Sequence, residues 1–355
     1  MPTVTYAPPR AQDSVLVIKS GVVTRHGWLI LVYLLATAGR VSAEPQTLRF
    51  ATIIPDGSAY AREAKAFARD VEIATAGRVR VKWLFGGLAG DEMQTLERIR
   101  RGQVDGAATS LACGQLAPSL RVFRLPGLFE SRPEARQVMA RLRSTVAEEL
   151  SKNGFALLGI EPFGADIFLS NEPIRSLEDL ARQRMWVWDR DEVWRAVAAL
   201  LGLRVTPLPL DQVSRALDEH RLDGLIALPT AALAYQWSTQ VRYFTPLPAA
   251  YLQACLIVSN HAFDALSVED QRSLRAAGAK AAARFDQVCD GQDAALLGGM
   301  FEKQGLKKVP PTPALAAAFR ARTRAAVERV DEPVVPRALR ERVAVWLVEI
   351  RAASR

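Results

Sequence analysis

The sequence predicts an α/β protein built of two similar lobes, and three observations carry that prediction. An amphipathic helix runs into Arg101-Gly102-Gln103-Val104-Asp105-Gly106 and then the apolar stretch Ala107-Ala108-Thr109. A second helix runs into Glu219-His220-Arg221-Leu222-Asp223-Gly224 and then Leu225-Ile226-Ala227-Leu228. Each copy reads as helix, Asp-Gly turn and buried strand, half of a βαβ unit. The chain also crosses between the two halves at least twice, near 161–166 and near 250. Hinged halves of this kind hold a small-molecule ligand in the crevice between them.

The elements follow in order. Leu48–Ile53 is a first strand, Ser58–Thr75 an Ala-rich amphipathic helix stopped by Gly77, and Val79–Phe85 alternates with Val79, Val81, Trp83 and Phe85 on one face. Strand, crossover helix and strand make a right-handed parallel unit. Gly86-Gly87-Leu88-Ala89-Gly90 lacks both phosphate-loop patterns, so it reads as a turn before a helix from about Asp91 to Arg101. Pro126–Phe129 introduces a helix reaching about Asn153, and Phe155–Glu161 is a strand. In the second lobe Phe168–Asn171, Met185–Trp188 and Val205–Pro207 read as strands, Glu192–Leu201 and Asp211–Glu219 as helices. Tyr251–Ser259 is a strand crossing back to the first lobe. Ser267-Val268-Glu269-Asp270 opens a long helix with a capping-box-like start, broken by Gly298-Gly299 and Gly305. From Pro313 onward the chain reads as helix interrupted at Pro333 and Pro336. The expected division is 44–163 with 252–291 for lobe I, and 164–251 with 292–355 for lobe II and the C-terminal helices.

The first 43 residues read as a signal-peptide region. Arg25-His26 precede an apolar run from Gly27 to Ala38 that is too short to span a bilayer, and Val41-Ser42-Ala43 has the small-x-small pattern of a cleavage site. Export to the periplasm with cleavage near Ala43 is expected, and translation is expected to start near Val22 or Val23. Arg10, Lys19, Arg25 and Arg40 against Asp13 account for three of the eight net positive charges, leaving +5 on the mature chain. Those charges are interspersed with acids, which argues against nucleic-acid binding. Cys113, Cys255 and Cys289 have no metal-like spacing, allow at most one disulfide, and none is expected.

No catalytic set emerges. His220 and His261 each stand alone after the leader, there is no HExxH or GxSxG, and the paired acids Asp189/Asp191 and Glu269/Asp270 fall at helix starts, where capping suffices. A binding protein without metal or cofactor is therefore expected, not an enzyme.

Several stretches resemble the solute receptors of tripartite ATP-independent periplasmic (TRAP) transporters, the DctP type. They are Gly86-Gly87-Leu88-Ala89-Gly90-Asp91-Glu92, Gly102-Gln103-Val104-Asp105-Gly106, Ser170-Asn171-Glu172-Pro173-Ile174-Arg175-Ser176-Leu177-Glu178-Asp179-Leu180, Asp223-Gly224 and Phe301-Glu302-Lys303-Gln304-Gly305. The resemblance covers about residues 47–340 and rests on the order and spacing of these stretches. It implies a type II-like periplasmic-binding-protein fold with hinge crossovers, a long lobe-spanning helix and closure on the ligand. It also implies a monomer delivering solute to TRAP-type membrane permease subunits driven by an ion gradient.

The resemblance also implies two arginines for a ligand carboxylate, whose geometry a guanidinium matches. At the corresponding positions this chain has Trp186 and Asp166. In the same register Trp186 faces the cleft and Trp188 its rim, although both could fill the lobe's core. Further candidates are Ile53, Ile54 and Pro55 after the first strand, Ser110, Leu210, Leu228, Pro229 and Tyr235. Leu208, Leu210 and Leu228 read equally well as core. This set favours a hydrophobic or amphiphilic ligand over a simple dicarboxylate. The alternatives are an organic cation with Asp166 as counter-ion and tryptophans for cation–π contact, or a subunit serving another carrier or a sensor kinase. A periplasmic enzyme is the remaining reading.

Overall fold

The computed structural model describes residues 44–353. The architecture below belongs to the unit Pro45–Arg355. The signal-peptide reading lies outside the described residues. Among those described, no helix is long and apolar enough to cross a membrane.

The first lobe is built on a five-stranded sheet in the order β2-β1-β3-β10-β4. Its strands are β1 (Gln46–Ala51), β2 (Val79–Leu84), β3 (Gly106–Thr109), β4 (Phe155–Ala165) and, returning late in the chain, β10 (Tyr251–Ser259). β1, β2 and β3 are parallel, whereas β10 runs antiparallel to both β3 and β4, as expected for a strand crossing back. The second lobe holds a six-stranded sheet ordered β11-β9-β5-β8-β6-β7. It uses β5 (Ile167–Ser170), β6 (Met185–Trp188), β7 (Val205–Leu208), β8 (Gly224–Ala227), β9 (Tyr243–Thr245) and β11 (Lys307–Lys308).

The helices follow their caps. In α1 (Ala59–Ala74) the Ser58 hydroxyl accepts from the third residue's N–H, and α2 (Glu92–Arg100) opens on an Asp91/Gln94 capping box. Short α3 (Leu111–Leu116) and the 3₁₀ turn Pro118–Arg124 were not legible in the sequence, and α4 (Arg132–Lys152) begins three residues beyond the expected Pro126–Phe129 entry because Ser131 caps it. The second lobe adds α5 (Leu177–Arg182), α6 (Glu192–Leu201), α7 (Val213–Asp218) and α8 (Pro229–Ala234). After α9 (Asn260–Asp264), α10 (Val268–Ala295) packs on β4 and α1 of the first lobe and on α8 of the second. The expected glycine break is a π turn, Leu296–Met300, in which Gly299 takes φ 135°. α11 (Pro313–Val327) lies on α6, but α12 (Arg337–Ala353) packs on α4. That corrects the grouping of all C-terminal helices with lobe II: Leu339, Val343, Leu347 and Ile350 bury their stripe in the first lobe's core.

The two Asp-Gly turns are one device used twice. Asp105 accepts from the Arg49 backbone N–H at 2.7 Å and from its guanidinium at 3.0 and 3.1 Å, while Arg49 also donates to the Gly102 carbonyl at 2.8 Å. Asp223 does the same for Arg184, at 2.7 Å from the backbone N–H and 2.9 and 2.7 Å from the guanidinium, with His220 supplying the carbonyl. Glycine follows each Asp because a Cβ on Gly106 would sit 2.6 Å from the Ile257 carbonyl, and one on Gly224 2.3 Å from that of Leu169.

Cys113 and Cys255 form a disulfide with Cα atoms 6.3 Å apart, which overturns the expectation of none. The two cysteines lie 142 residues apart in sequence, and only the antiparallel return of β10 beside β3 brings them together. Cys289 is free and buried.

Candidate functional site

Two short linkers run directly from one sheet to the other. Asp166 separates β4 from β5, and residues 246–250 lead from β9 to β10. They pair with each other: the Asp166 N–H donates to the Ala250 carbonyl at 2.8 Å, and the Ala249 N–H to the Asp166 carbonyl at 2.8 Å. Beside them opens a cleft of about 1450 Å³, counted out to its mouth and lined from both sheets.

The first-lobe wall comes from the C-terminal ends of β1, β2 and β3, where Thr52, Ile53, Ile54, Pro55, Phe85 and Ser110 lie. Behind them Tyr60, Phe163 and Phe285 form a ring triad with every pair of centroids 5.1 Å apart. Burial pushes the Tyr60 phenol up from its ordinary range. Glu92, also in the wall, is saturated. It accepts from the Thr109 hydroxyl at 2.7 Å, the Ser110 N–H and hydroxyl at 2.9 Å, and the Ala112 N–H at 2.9 Å. The Ser110 hydroxyl proton is therefore committed to Glu92.

The second-lobe wall holds Trp186, Trp188, Trp194, Leu210, Leu228, Tyr235 and Trp237. Trp186 belongs to both cleft and core. It lines the cavity, yet it is 4% exposed, donates Nε1–H to the Leu208 carbonyl at 3.0 Å and packs on Trp237 with centroids 5.2 Å apart. Trp188 is half-buried on the same face of β6, packed against that same cluster. Tyr235 stacks on Trp237 and donates its hydroxyl across the cleft to the Ile53 carbonyl at 3.2 Å, and burial raises its pKa. Leu210 lines the cleft and packs against the second lobe's core and Leu228 is buried in the lining, whereas Pro229 is buried as the first residue of α8 outside the lining.

Asp166 lines the cavity without a free charge. Its Oδ2 lies 2.7 Å from Arg124 Nη1, the end of the 3₁₀ turn Pro118–Arg124. The same guanidinium donates to Asp191 Oδ2 from Nε at 2.9 Å and from Nη2 at 2.6 Å. Asp191 caps α6, accepting from the Trp194 N–H at 3.0 Å, the capping role expected of it. All three side chains are buried. Burial works against the Arg124 charge, but the two carboxylates outweigh it and hold the guanidinium above its ordinary range. Burial raises the Asp166 pKa, with Arg124 opposing. The expected counter-ion for a ligand cation is thus already paired. The sequence alone does not single out Arg124, Asp191 or Glu92 as cleft residues; an isolated arginine among 46 basic residues carries no sequence signal of its own.

Farther along the hinge, Asp293 of α10 sits where a Cβ on Gly164 would lie 2.8 Å from its Oδ2. Burial pushes its carboxyl up to about 7, although Arg132 Nη1 at 3.6 Å pulls the other way.

Residues 50–332 match the family described as bacterial extracellular solute-binding protein, family 7 (DctP). A solute-binding protein of Chromohalobacter salexigens is 23% identical over 256 residues, 71% of this chain and 76% of the relative. The uncharacterized protein YiiZ of Salmonella typhimurium is 27% identical over 269 residues, 73% and 80% of the two chains. In three dimensions the chain is similar to the sugar acid binding protein DctPAm of Advenella mimigardefordensis in complex with galactonate, with a TM-score of 0.79, 21% identity, and coverage of 86% of this chain and 99% of the other. It is also similar to DctP7 of Bordetella pertussis, a receptor binding pyroglutamic acid, with a TM-score of 0.75, 21% identity, and coverage of 84% and 99%. The chain belongs to the DctP family of bacterial extracellular solute-binding proteins, family 7.

Proposed function

We propose that this receptor captures a neutral, apolar or amphiphilic small molecule between its lobes and delivers it to TRAP-type permease subunits, working as an exported monomer cleaved near Ala43. The lobes divide near 163/164 and 251/252 and close about the paired linkers, with α10 spanning both.

One observation carries the ligand class. Arg124 is the one cation among the described residues lining the cleft, and two buried carboxylates already hold it. The structurally similar receptors bind galactonate and pyroglutamic acid, both carboxylates. A carboxylate entering this cleft would meet a single base, Arg124, already held by two acids, with Glu63, Glu92 and Glu161 as further acids among the otherwise mostly apolar lining. An uncharged ligand meets tryptophan, phenylalanine and leucine, whose burial with it contributes about 25 cal/mol per Å². An organic cation would have to compete with Arg124 for Asp166, which disfavours the amine reading.

Calorimetry with matched ligands tests this. Neutral aromatic amides and alcohols should bind more tightly than the corresponding carboxylates, and co-purified molecules released on denaturation should be uncharged. Tight binding of galactonate or another sugar acid would refute the proposal.

A further inference from the structure

Resting on that reading, we propose that Asp166 is the specificity-determining residue of the cleft: its carboxylate occupies the seat on Arg124 that a ligand carboxylate would otherwise take.

The geometry separates the roles of the two acids. Asp191 caps α6 through the Trp194 N–H and takes two N–H groups of Arg124, so it belongs to the framework. Among the described residues the Asp166 side chain has one partner, Arg124 Nη1 at 2.7 Å, and both groups line the cavity. Its backbone is held independently by the Ala249 and Ala250 pairing, so the side chain can be changed without undoing the linker. The wild-type cluster sets two carboxylates against one guanidinium. Removing the Asp166 carboxylate leaves a neutral Arg124–Asp191 pair with Nη1 turned to the cavity. An incoming carboxylate would then restore the original charge count, with the ligand in place of the side chain. A carboxylate approaching the wild-type wall would add a third buried acid beside one base.

The test uses phenylacetate and phenylacetamide as a matched pair, with wild type, Asp166→Ala and Asp166→Asn. The variants should raise the ratio of phenylacetate affinity to phenylacetamide affinity roughly tenfold to a hundredfold, the range of one charge-assisted hydrogen bond. Acetate at millimolar concentration should raise the melting temperature of Asp166→Ala and leave that of wild type unmoved. If Asp166→Ala does not fold, Asp166→Asn fills the same volume without the charge and carries the binding comparison. Two folded variants that reject phenylacetate as wild type does would overturn this inference and leave the neutral-ligand reading standing. Wild type binding phenylacetate as tightly as the variants would instead overturn the neutral-ligand reading itself.

Discussion

Trp186 and Trp188 project from the same face of β6 but carry different loads. Trp186 fills core between Leu208 and Trp237 with its indole N–H satisfied, so Trp186→Ala should cost about 3–5 kcal/mol in urea unfolding as well as weakening ligand binding. Half-buried Trp188 lies nearer solvent, and Trp188→Ala should cost about 1 kcal/mol of stability while weakening a neutral fluorophore such as N-phenyl-1-naphthylamine roughly tenfold. Equal stability losses would contradict this division. Period-2 alternation put both indoles on one face, but how deep each sits depends on Trp237 and Leu208, distant in sequence. Arg124 shows the same limit, because its meaning comes entirely from Asp166 and Asp191. Asp293 offers a pH signature: burial raises its carboxyl to about 7 from 3.8, with Asp290 and Asp166 reinforcing and Arg132 opposing. Between those values the folded chain keeps a proton that the unfolded chain has released, so this group's contribution makes stability fall as pH rises through the window. Asp293→Asn should therefore melt higher than wild type at pH 8, the two converging below about pH 4. A constant difference across pH would show that Asp293 is not responsible.

At the scale of elements, the paired Asp-Gly devices differ at one informative position. The carbonyl that receives the arginine comes from Gly102 at φ 69° in the first lobe and from His220 at φ 53° in the second. A left-handed backbone costs an L-residue with a side chain about 1 kcal/mol relative to glycine, so His220→Gly should raise the unfolding free energy by a comparable amount and the urea midpoint with it. A lowered midpoint would mean that the imidazole contributes something its exposed position does not reveal. The Cys113–Cys255 link closes a loop of 142 residues within the first lobe, and a chain-entropy account gives it about 4–5 kcal/mol. Unfolding with and without reductant, with free thiols counted, should show that loss; an unchanged midpoint after full reduction would remove the link from the stability account. Strands and capped helices were legible here because Ser58, Asp91 and Ser267 mark helix starts in their own sequence. The disulfide, the 3₁₀ turn Pro118–Arg124 and the docking of α12 on α4 were not, since each depends on the return of a distant segment.

Across the whole molecule, the fold was readable from repetition: two Asp-Gly turns and two crossings specify two sheets and a linker pair. The occupant of the cleft was less readable, because the lining comes from both sheets and the helices packed around them, and its charge balance rests on a contact between linker and 3₁₀ turn. Tyr235 joins the two walls through the Ile53 carbonyl. Tyr235→Phe should lower ligand affinity two- to tenfold, the range of one hydrogen bond worth about 0.5–1.5 kcal/mol; unaltered affinity by calorimetry would show that this bond does not favour closure. The paired linkers have a mechanical corollary. Because the backbones at 166 and 249–250 clasp each other, these two short crossings form a two-ply strap whose plies must yield together when one half rotates against the other.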